Sequence, residues 1–166
     1  MAEKKMYIAY GSNINLEQMA QRCPNAEVIG TVMLENYELE FRRVATVVPK
    51  EGARVPILLW QIDEQDEQSL DRYEGFPNLY RKEEFKVEVD DKVIKGMAYV
   101  MNGGQISPPQ SFYYFGILEG YKANGMDTKY AGNALCRAFV ANISQGIGEK
   151  ESDCGIEETY GVMNMG

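Results

Sequence analysis

At 166 residues, 45% hydrophobic and 11% aromatic, the chain is long and apolar enough to bury one domain core, and its composition is not that of a disordered protein. Seventeen basic against 25 acidic side chains leave a net charge of −8 with no basic block, so nucleic acid and anionic membranes are poor partners. Histidine is absent, which excludes Ser-His-Asp and Cys-His catalysis and the usual zinc sites; any acid or base must be Asp, Glu, Lys, Tyr or Cys.

No apolar run is long enough to span a bilayer, and "MAEKKM" lacks the apolar core of a secretory leader. Cys23, Cys136 and Cys154 are widely spaced without a CxxC, so the expectation is a reducing cytoplasm and no disulfide framework.

Met6 to Tyr10 is an unbroken apolar run, the pattern of a strand buried on both faces. Gly11-Ser12-Asn13 then makes a turn, and Leu16, Met19, Ala20 and Cys23 recur at helical spacing. Asn15 is placed to cap this helix, Gln18 follows three residues later, and Pro24 ends it. Four short strands are expected next: "AEVIGTVML", "YELEFRR", "VATVVP" and "VPILLWQI", with "KEGAR" as the turn between the last two. Tyr37, Leu39 and Phe41 alternate with charged residues, and Pro56 points to an edge position or a strand start.

"DEQDEQSLDRYEGF" changes to helical period, with Asp63 as cap, acidic residues in the first turn, Leu70 and Tyr73 on one face, and Gly75 as the stop. A hairpin follows, with Phe85, Val87 and Val89 facing inward and Asp90-Asp91 at its turn. The loop "NGGQISPPQ" leads into a helix from about Pro109 to Asn124, with Gly125 as its cap; Phe112 and Phe115 are expected in the core. A last helix spans roughly Asp127 to Gln145 and turns Tyr130, Ala131, Ala134, Leu135 and Ala138 inward. The reading is one α+β domain over 1–146, its strands able to curl into a small barrel, and a loosely held tail over 147–166.

Three places carry chemical interest. A strand feeding a glycine-containing turn at a helix start exposes consecutive N–H groups to a carboxylate, phosphate or oxyanion, although a tight turn of this kind needs glycine with or without a ligand. Neither a P-loop lysine nor GxGxxG is present, so nucleotide binding is disfavoured. Glu74 falls at the negative end of its helix beside Tyr73 and Phe76. Dipole and lost solvent both raise a carboxyl pKa there, as a general base or acid near neutrality requires. Tyr113 and Tyr114 leave the Phe112–Phe115 face, so one of the two can line a cavity. Arg42, Arg43 and Arg81 could clamp a carboxylate, but with 25 acids available they are better read as ordinary ion pairs.

Three separated motifs together resemble the gamma-glutamylcyclotransferase-like family over most of the chain, from about Tyr7 to Tyr130: "YIAYGSN", "LDRYEG" and "SPPQSFYYFGILEGYKANGM". The resemblance implies a small mixed β-barrel core flanked by helices and a gamma-glutamyl small molecule as substrate. It implies Glu74 as the catalytic glutamate, and the segment Tyr7, Ile8, Ala9, Tyr10, Gly11, Ser12 and Asn13, with Tyr113, as substrate-binding. "GFPNLYRKEEFKV" looks more like the gamma-glutamylamine branch and the opening turn more like the branch acting on gamma-glutamyl amino acids. Pro56 stands where such proteins often have glycine, and the tail matches nothing in the family pattern.

The implied reaction closes a ring: the α-amine of a gamma-glutamyl group attacks its own γ-carbonyl, giving 5-oxoproline and a free amine. Both reacting groups belong to one molecule, so no cofactor, metal or covalent nucleophile is called for. A base must free the α-amine, which falls to Glu74, and donors must meet the oxyanion and the α-carboxylate, which the Tyr10–Asn13 turn offers. Two other readings stay open: a non-catalytic binding module of the same fold, and an amidohydrolase in which Glu74 activates water. A homodimer is likewise left open.

Overall fold

The computed structural model describes residues 3–146. Among them, five strands form one mixed sheet: β1 (Lys5–Ala9), β2 (Glu27–Arg42), β3 (Val44–Ile62), β4 (Tyr80–Val89) and β5 (Lys92–Met101). Four α-helices accompany it: α1 (Leu16–Arg22), α2 (Glu64–Glu74), α3 (Ser111–Ala123) and α4 (Lys129–Gly146). A single 3₁₀ turn, Ser12–Ile14, joins β1 to α1.

The strand order is β2-β3-β1-β5-β4, so the five-residue opening strand is the middle of the sheet. It pairs antiparallel with β3 (Tyr7↔Trp60) and parallel with β5 (Tyr7↔Met97). A central strand has no solvent face, which is why Tyr7, Ile8 and Ala9 are buried in succession. The sheet curls until its outermost strands approach: Tyr37 on β2 and Phe85 on β4 meet edge to face, 5.1 Å between ring centroids. The expected small barrel core is present as a curled five-stranded sheet, and among the described residues no hydrogen-bonded ladder joins its outer strands.

The four strands expected between Ala26 and Ile62 are two long ones. β2 and β3 pair along almost their whole length and turn back at Arg43, which takes φ 69. The register passes from Glu35↔Arg54 to Tyr37↔Pro49, so residues 50–53 loop out opposite Asn36. Asn36 itself adopts φ 67 and accepts the Gly52 N–H at 3.0 Å. "KEGAR" is therefore a bulge within one ribbon; its glycine and charges read as a turn, but cross-strand pairing on both sides carries the strand through. Pro56 lies inside β3, opposite Met33 and beyond Leu58, where pairing with β1 ends; a missing N–H is tolerated on that unpaired side.

Two helical faces also differ from expectation. Along α1 and its cap, Met19 and Cys23 are buried, but Leu16 is 39% exposed and Ala20 is exposed, while Ile14 in the preceding turn is fully buried. On α3 the buried stripe is Tyr114, Ile117 and Tyr121, while Phe112 is 83% exposed and Phe115 only partly covered. The cause is glycine: a Cβ on Gly120 would lie 2.8 Å from the backbone of Ile14 and Asn15. The helix presents this bare strip to the 3₁₀ turn and rotates Phe112 outward. It ends at Ala123, with Asn124 as the cap, one residue before Gly125.

Cys23 is a buried free thiol. Cys136, on α4, is disulfide-bonded, which departs from the expectation of no disulfide framework. No described helix is long and apolar enough to cross a membrane. The reading of a loose tail falls on 147–166, outside the described residues.

Gly120→Ala should destabilise the fold by about 1–3 kcal/mol, since its methyl meets backbone that cannot rotate away. Gly103→Ala, with open space around the added carbon, should leave the melting temperature nearly unchanged. Equal melting temperatures for the two variants would contradict this packing.

Candidate active site

At the end of β1 the chain leaves the sheet through Tyr10, whose hydroxyl donates to the Tyr99 carbonyl on β5. The 3₁₀ turn then closes with Ile14 N–H to Gly11 O at 3.1 Å and Asn15 N–H to Ser12 O at 3.0 Å. The N–H groups of Ser12 and Asn13 precede the first of these bonds and have no partner within the turn. Asn15 caps α1 by accepting the Gln18 N–H at 3.0 Å.

Asn13 is buried, and both ends of its side-chain amide and its backbone carbonyl are used. Its amide nitrogen donates to the Tyr7 hydroxyl at 2.8 Å and makes a long 3.5 Å contact to Glu74 Oε2. Its amide oxygen accepts from Arg22 Nη1 at 2.6 Å, and its backbone carbonyl accepts Trp60 Nε1–H at 3.1 Å.

Glu74 is the last residue of α2. That helix begins with a reciprocal capping box between Asp63 and Asp66 and ends at Gly75 in the left-handed conformation, φ 68. The "LDRYEG" segment works residue by residue. Leu70 is fully buried and anchors the helix. Asp71 accepts from the Tyr99 hydroxyl at 2.6 Å and pairs with Lys82 at 3.0 Å, tying α2 to β5 and β4. Tyr73 meets Ser12 Oγ with its hydroxyl at 2.9 Å, and Glu74 turns its carboxyl toward the same turn.

These elements enclose a cavity of about 200 Å³, below the roughly 300–1,000 Å³ of drug-sized pockets and suited to a small metabolite. Its lining includes Glu74, six tyrosines (Tyr7, Tyr10, Tyr73, Tyr80, Tyr99 and Tyr113), the turn Gly11-Ser12-Asn13, and Val44, Ala45 and Leu79. Two phenols are committed to the scaffold: Tyr80 O–H donates to the Ala45 carbonyl at 2.6 Å, and Tyr10 O–H donates as above. Two others accept bonds, Tyr7 from Asn13 and Tyr113 from the Ala45 N–H at 3.0 Å, and so keep their own O–H to donate.

Burial in this enclosure pushes the Glu74 carboxyl up to about 7, against the lowering pull of the Arg22 guanidinium. Of the expected neighbours, Tyr73 is 43% and Phe76 36% exposed, and only Tyr73 lines the cavity; the remaining walls come from other elements. Burial, with the Glu74 charge as a further cause, holds Tyr7, Tyr10 and Tyr80 well above the ordinary phenol range; for Tyr113 burial leads in the same direction. All four are neutral donors at physiological pH.

Of the residues singled out from sequence, Glu74, Tyr7, Tyr10, Gly11, Ser12, Asn13 and Tyr113 converge on this cavity, whereas Ile8 and Ala9 lie in the core behind its wall. Arg42 and Arg81 form ion pairs with Glu40 and Glu83, both at 2.6 Å, and Arg43 is exposed; none of the three lines the cavity. Tyr80, Tyr99, Val44, Ala45 and Leu79 were not indicated by sequence, because the sheet order that brings them together is non-local. Arg22 was missed too, although its place in the last turn of α1, four residues after Gln18, was a local signal.

A family model described as "Gamma-glutamyl cyclotransferase, AIG2-like" matches residues 7–115. The chain is 29% identical over 142 residues to gamma-glutamylcyclotransferase of Homo sapiens, covering 77% of this chain and 76% of that protein; the Mus musculus protein matches to the same extent. A solved structure titled gamma-glutamyl cyclotransferase superposes with TM-score 0.73 at 27% identity, covering 80% of this chain and 86% of its own.

The raised Glu74 carboxyl has a consequence for stability. Folding strengthens its hold on the proton relative to an unfolded chain that titrates near ~4.3. The fold carries no penalty below that pH, a growing one as pH rises toward 7, and a constant one above. Glu74→Gln should therefore stabilise the protein above pH 7, by roughly 1–3 kcal/mol, and change little at pH 4. Thermal unfolding of both proteins across pH checks this, and a pH-independent difference would contradict it.

Proposed function

The chain belongs to the gamma-glutamyl cyclotransferase, AIG2-like family, and from that premise we propose that it closes the ring of a gamma-glutamyl compound, releasing 5-oxoproline and a free amine. The observation that carries this reading is the Glu74 carboxyl, raised to about 7 and facing the Gly11-Ser12-Asn13 turn across a small cavity walled by tyrosines.

A gamma-glutamyl group needs three services here. Its α-ammonium must lose a proton, and a carboxyl that titrates near neutrality can accept it and return it. Its α-carboxylate and the oxyanion formed at the γ-carbon need donors, and the Ser12 and Asn13 N–H groups and the Tyr7 and Tyr113 hydroxyls supply neutral ones. Its chain must be held folded so that amine and γ-carbonyl meet, which a cavity of this size favours.

The steps balance without a co-reactant. Glu74 takes a proton from the α-ammonium, and the amine nitrogen bonds to the γ-carbon as the carbonyl electrons move to oxygen. Glu74 returns that proton to the departing nitrogen, the carbonyl re-forms as the bond to that nitrogen breaks, and the second proton shed by the ring nitrogen passes by way of Glu74 to the released amine, which leaves as an ammonium ion. Water takes no part, which separates this reading from an amidohydrolase, whose product would be free glutamate.

The test is a panel of gamma-glutamyl amino acids, gamma-glutamyl amines and gamma-glutamyl-lysine isopeptides, assayed for both 5-oxoproline and glutamate. The expected product is 5-oxoproline from at least one member, with kcat/KM rising through a midpoint near pH 7. Glu74→Gln should lower turnover by at least about 10²–10⁴-fold while leaving the fold intact. Glutamate as the product supports the amidohydrolase, and binding without turnover supports the non-catalytic module; either outcome removes the cyclotransferase reading.

A further inference from the structure

Arg22 lines none of the cavity, yet it touches the groups on both sides of Glu74. From the last turn of α1 its guanidinium sits over the Tyr73 ring, 3.6 Å from Cζ to the ring centroid. Nη1 donates to Asn13 Oδ1 at 2.6 Å, and Nη2 donates to Gln18 Oε1 at 3.0 Å. Tyr73 immediately precedes Glu74 and reaches Ser12 Oγ at 2.9 Å, and Asn13 faces Glu74 from the turn.

These contacts close a ring: Arg22 to Tyr73, Tyr73 to Ser12, Ser12 by the chain to Asn13, and Asn13 back to Arg22. An asparagine amide has two ends, and the guanidinium, which only donates, fixes which end faces it. With Oδ1 held by Arg22, Nδ2 must point to Tyr7 and Glu74. The planar fork serves two acceptors and a ring face together, which a lysine cannot do.

We propose that Arg22 is a positioning residue: by clamping Tyr73 and orienting Asn13, it holds the Glu74 carboxyl in its working place opposite the turn. The inference rests on Glu74 acting as proposed above. Arg22 is also the charge that acts on Glu74. Among the described residues, the other titratable groups that sense Glu74 are the neutral phenols of Tyr7 on β1, Tyr10 just after it, Tyr80 on β4 and Tyr113 on α3. Removing Arg22 thus loosens the carboxyl and raises its titration midpoint, two effects with separate readouts.

The test compares Arg22→Met and Arg22→Lys with the wild-type chain, each checked for an unchanged circular dichroism spectrum. In Arg22→Met, kcat should fall about tenfold with KM within about threefold, and the rising limb of kcat/KM should move up by about 0.5–1 pH unit. Arg22→Lys keeps the charge without the fork, so the limb should stay near its wild-type position while kcat still falls. Wild-type kcat and limb in Arg22→Met would overturn the inference, as would a loss confined to KM or an equal limb shift in both variants. A ¹³C titration of the Glu74 carboxyl, assigned against Glu74→Gln, needs no substrate and should show the higher midpoint in Arg22→Met alone. If the wild-type chain makes no 5-oxoproline, the cyclotransferase reading falls, and this titration decides the role of Arg22 by itself: an unmoved midpoint sinks it.

Discussion

The arrangement depends on one buried side-chain amide. Asn13 is 2% exposed, and a polar group so far from water costs several times more unpaired than its hydrogen bonds return. The fold meets that demand with Arg22 on α1, Tyr7 on β1 and Glu74 on α2, while Trp60 on β3 donates to the backbone carbonyl of the same residue. None of these is near Asn13 in sequence except Tyr7 and Arg22. The need to satisfy one amide therefore fixes the turn against the sheet and two helices at once, and it places the carboxyl. A network of this kind favours a single geometry, because each partial rearrangement leaves a buried group without a bond.

Around that amide the walls are dry but not inert. Phenols cover Glu74 with apolar ring surface, which is why burial dominates its titration, yet each phenol also carries a donor. Tyr10 and Tyr80 spend theirs on backbone carbonyls of β5 and β3 and so weld the walls together. Tyr7 and Tyr113 accept instead and retain theirs for the cavity. A lysine or arginine in place of these phenols would pull the carboxyl back toward its ordinary range; neutral donors serve an anionic ligand without doing so. Arg22, a cation that acts on Glu74, stands outside the lining, where it tempers the effect of burial without cancelling it.

What the sequence made legible was local. The Asn15 cap, the Asp63 start and Gly75 stop of α2, and the Asp90-Asp91 hairpin, at φ 51 and 64, each follow from residues within a few positions of one another. The family resemblance located Glu74 and the turn in the same way, through short motifs. What stayed hidden was set by pairing across long separations. Gly52 reads as a turn residue until Asn36, sixteen positions away, is seen to receive its N–H. Phe112 and Phe115 read as core until the bare strip at Gly120 is seen to claim the inner face of α3. Tyr80 and Tyr99 share a cavity with Tyr10 only because β5 lies beside β1 and β4 beyond it.

The same topology explains why the cavity lies where it does. β1 stops at Ala9, opposite Leu58, while β3 extends from Leu58 back to Val44 and β5 runs past Met97 to Met101. Past the end of the central strand the two neighbours have nothing between them, and they hold together through the buried Thr46 hydroxyl, which accepts the Met101 N–H at 3.0 Å. The space left by the missing strand residues is lined by Val44, Ala45 and Tyr99 from those neighbours and roofed by the turn and the end of α2. A longer β1 would fill this space with its own backbone and side chains. The brevity of the opening strand, and the polar turn on which it breaks, are therefore what make room for a ligand beside Glu74.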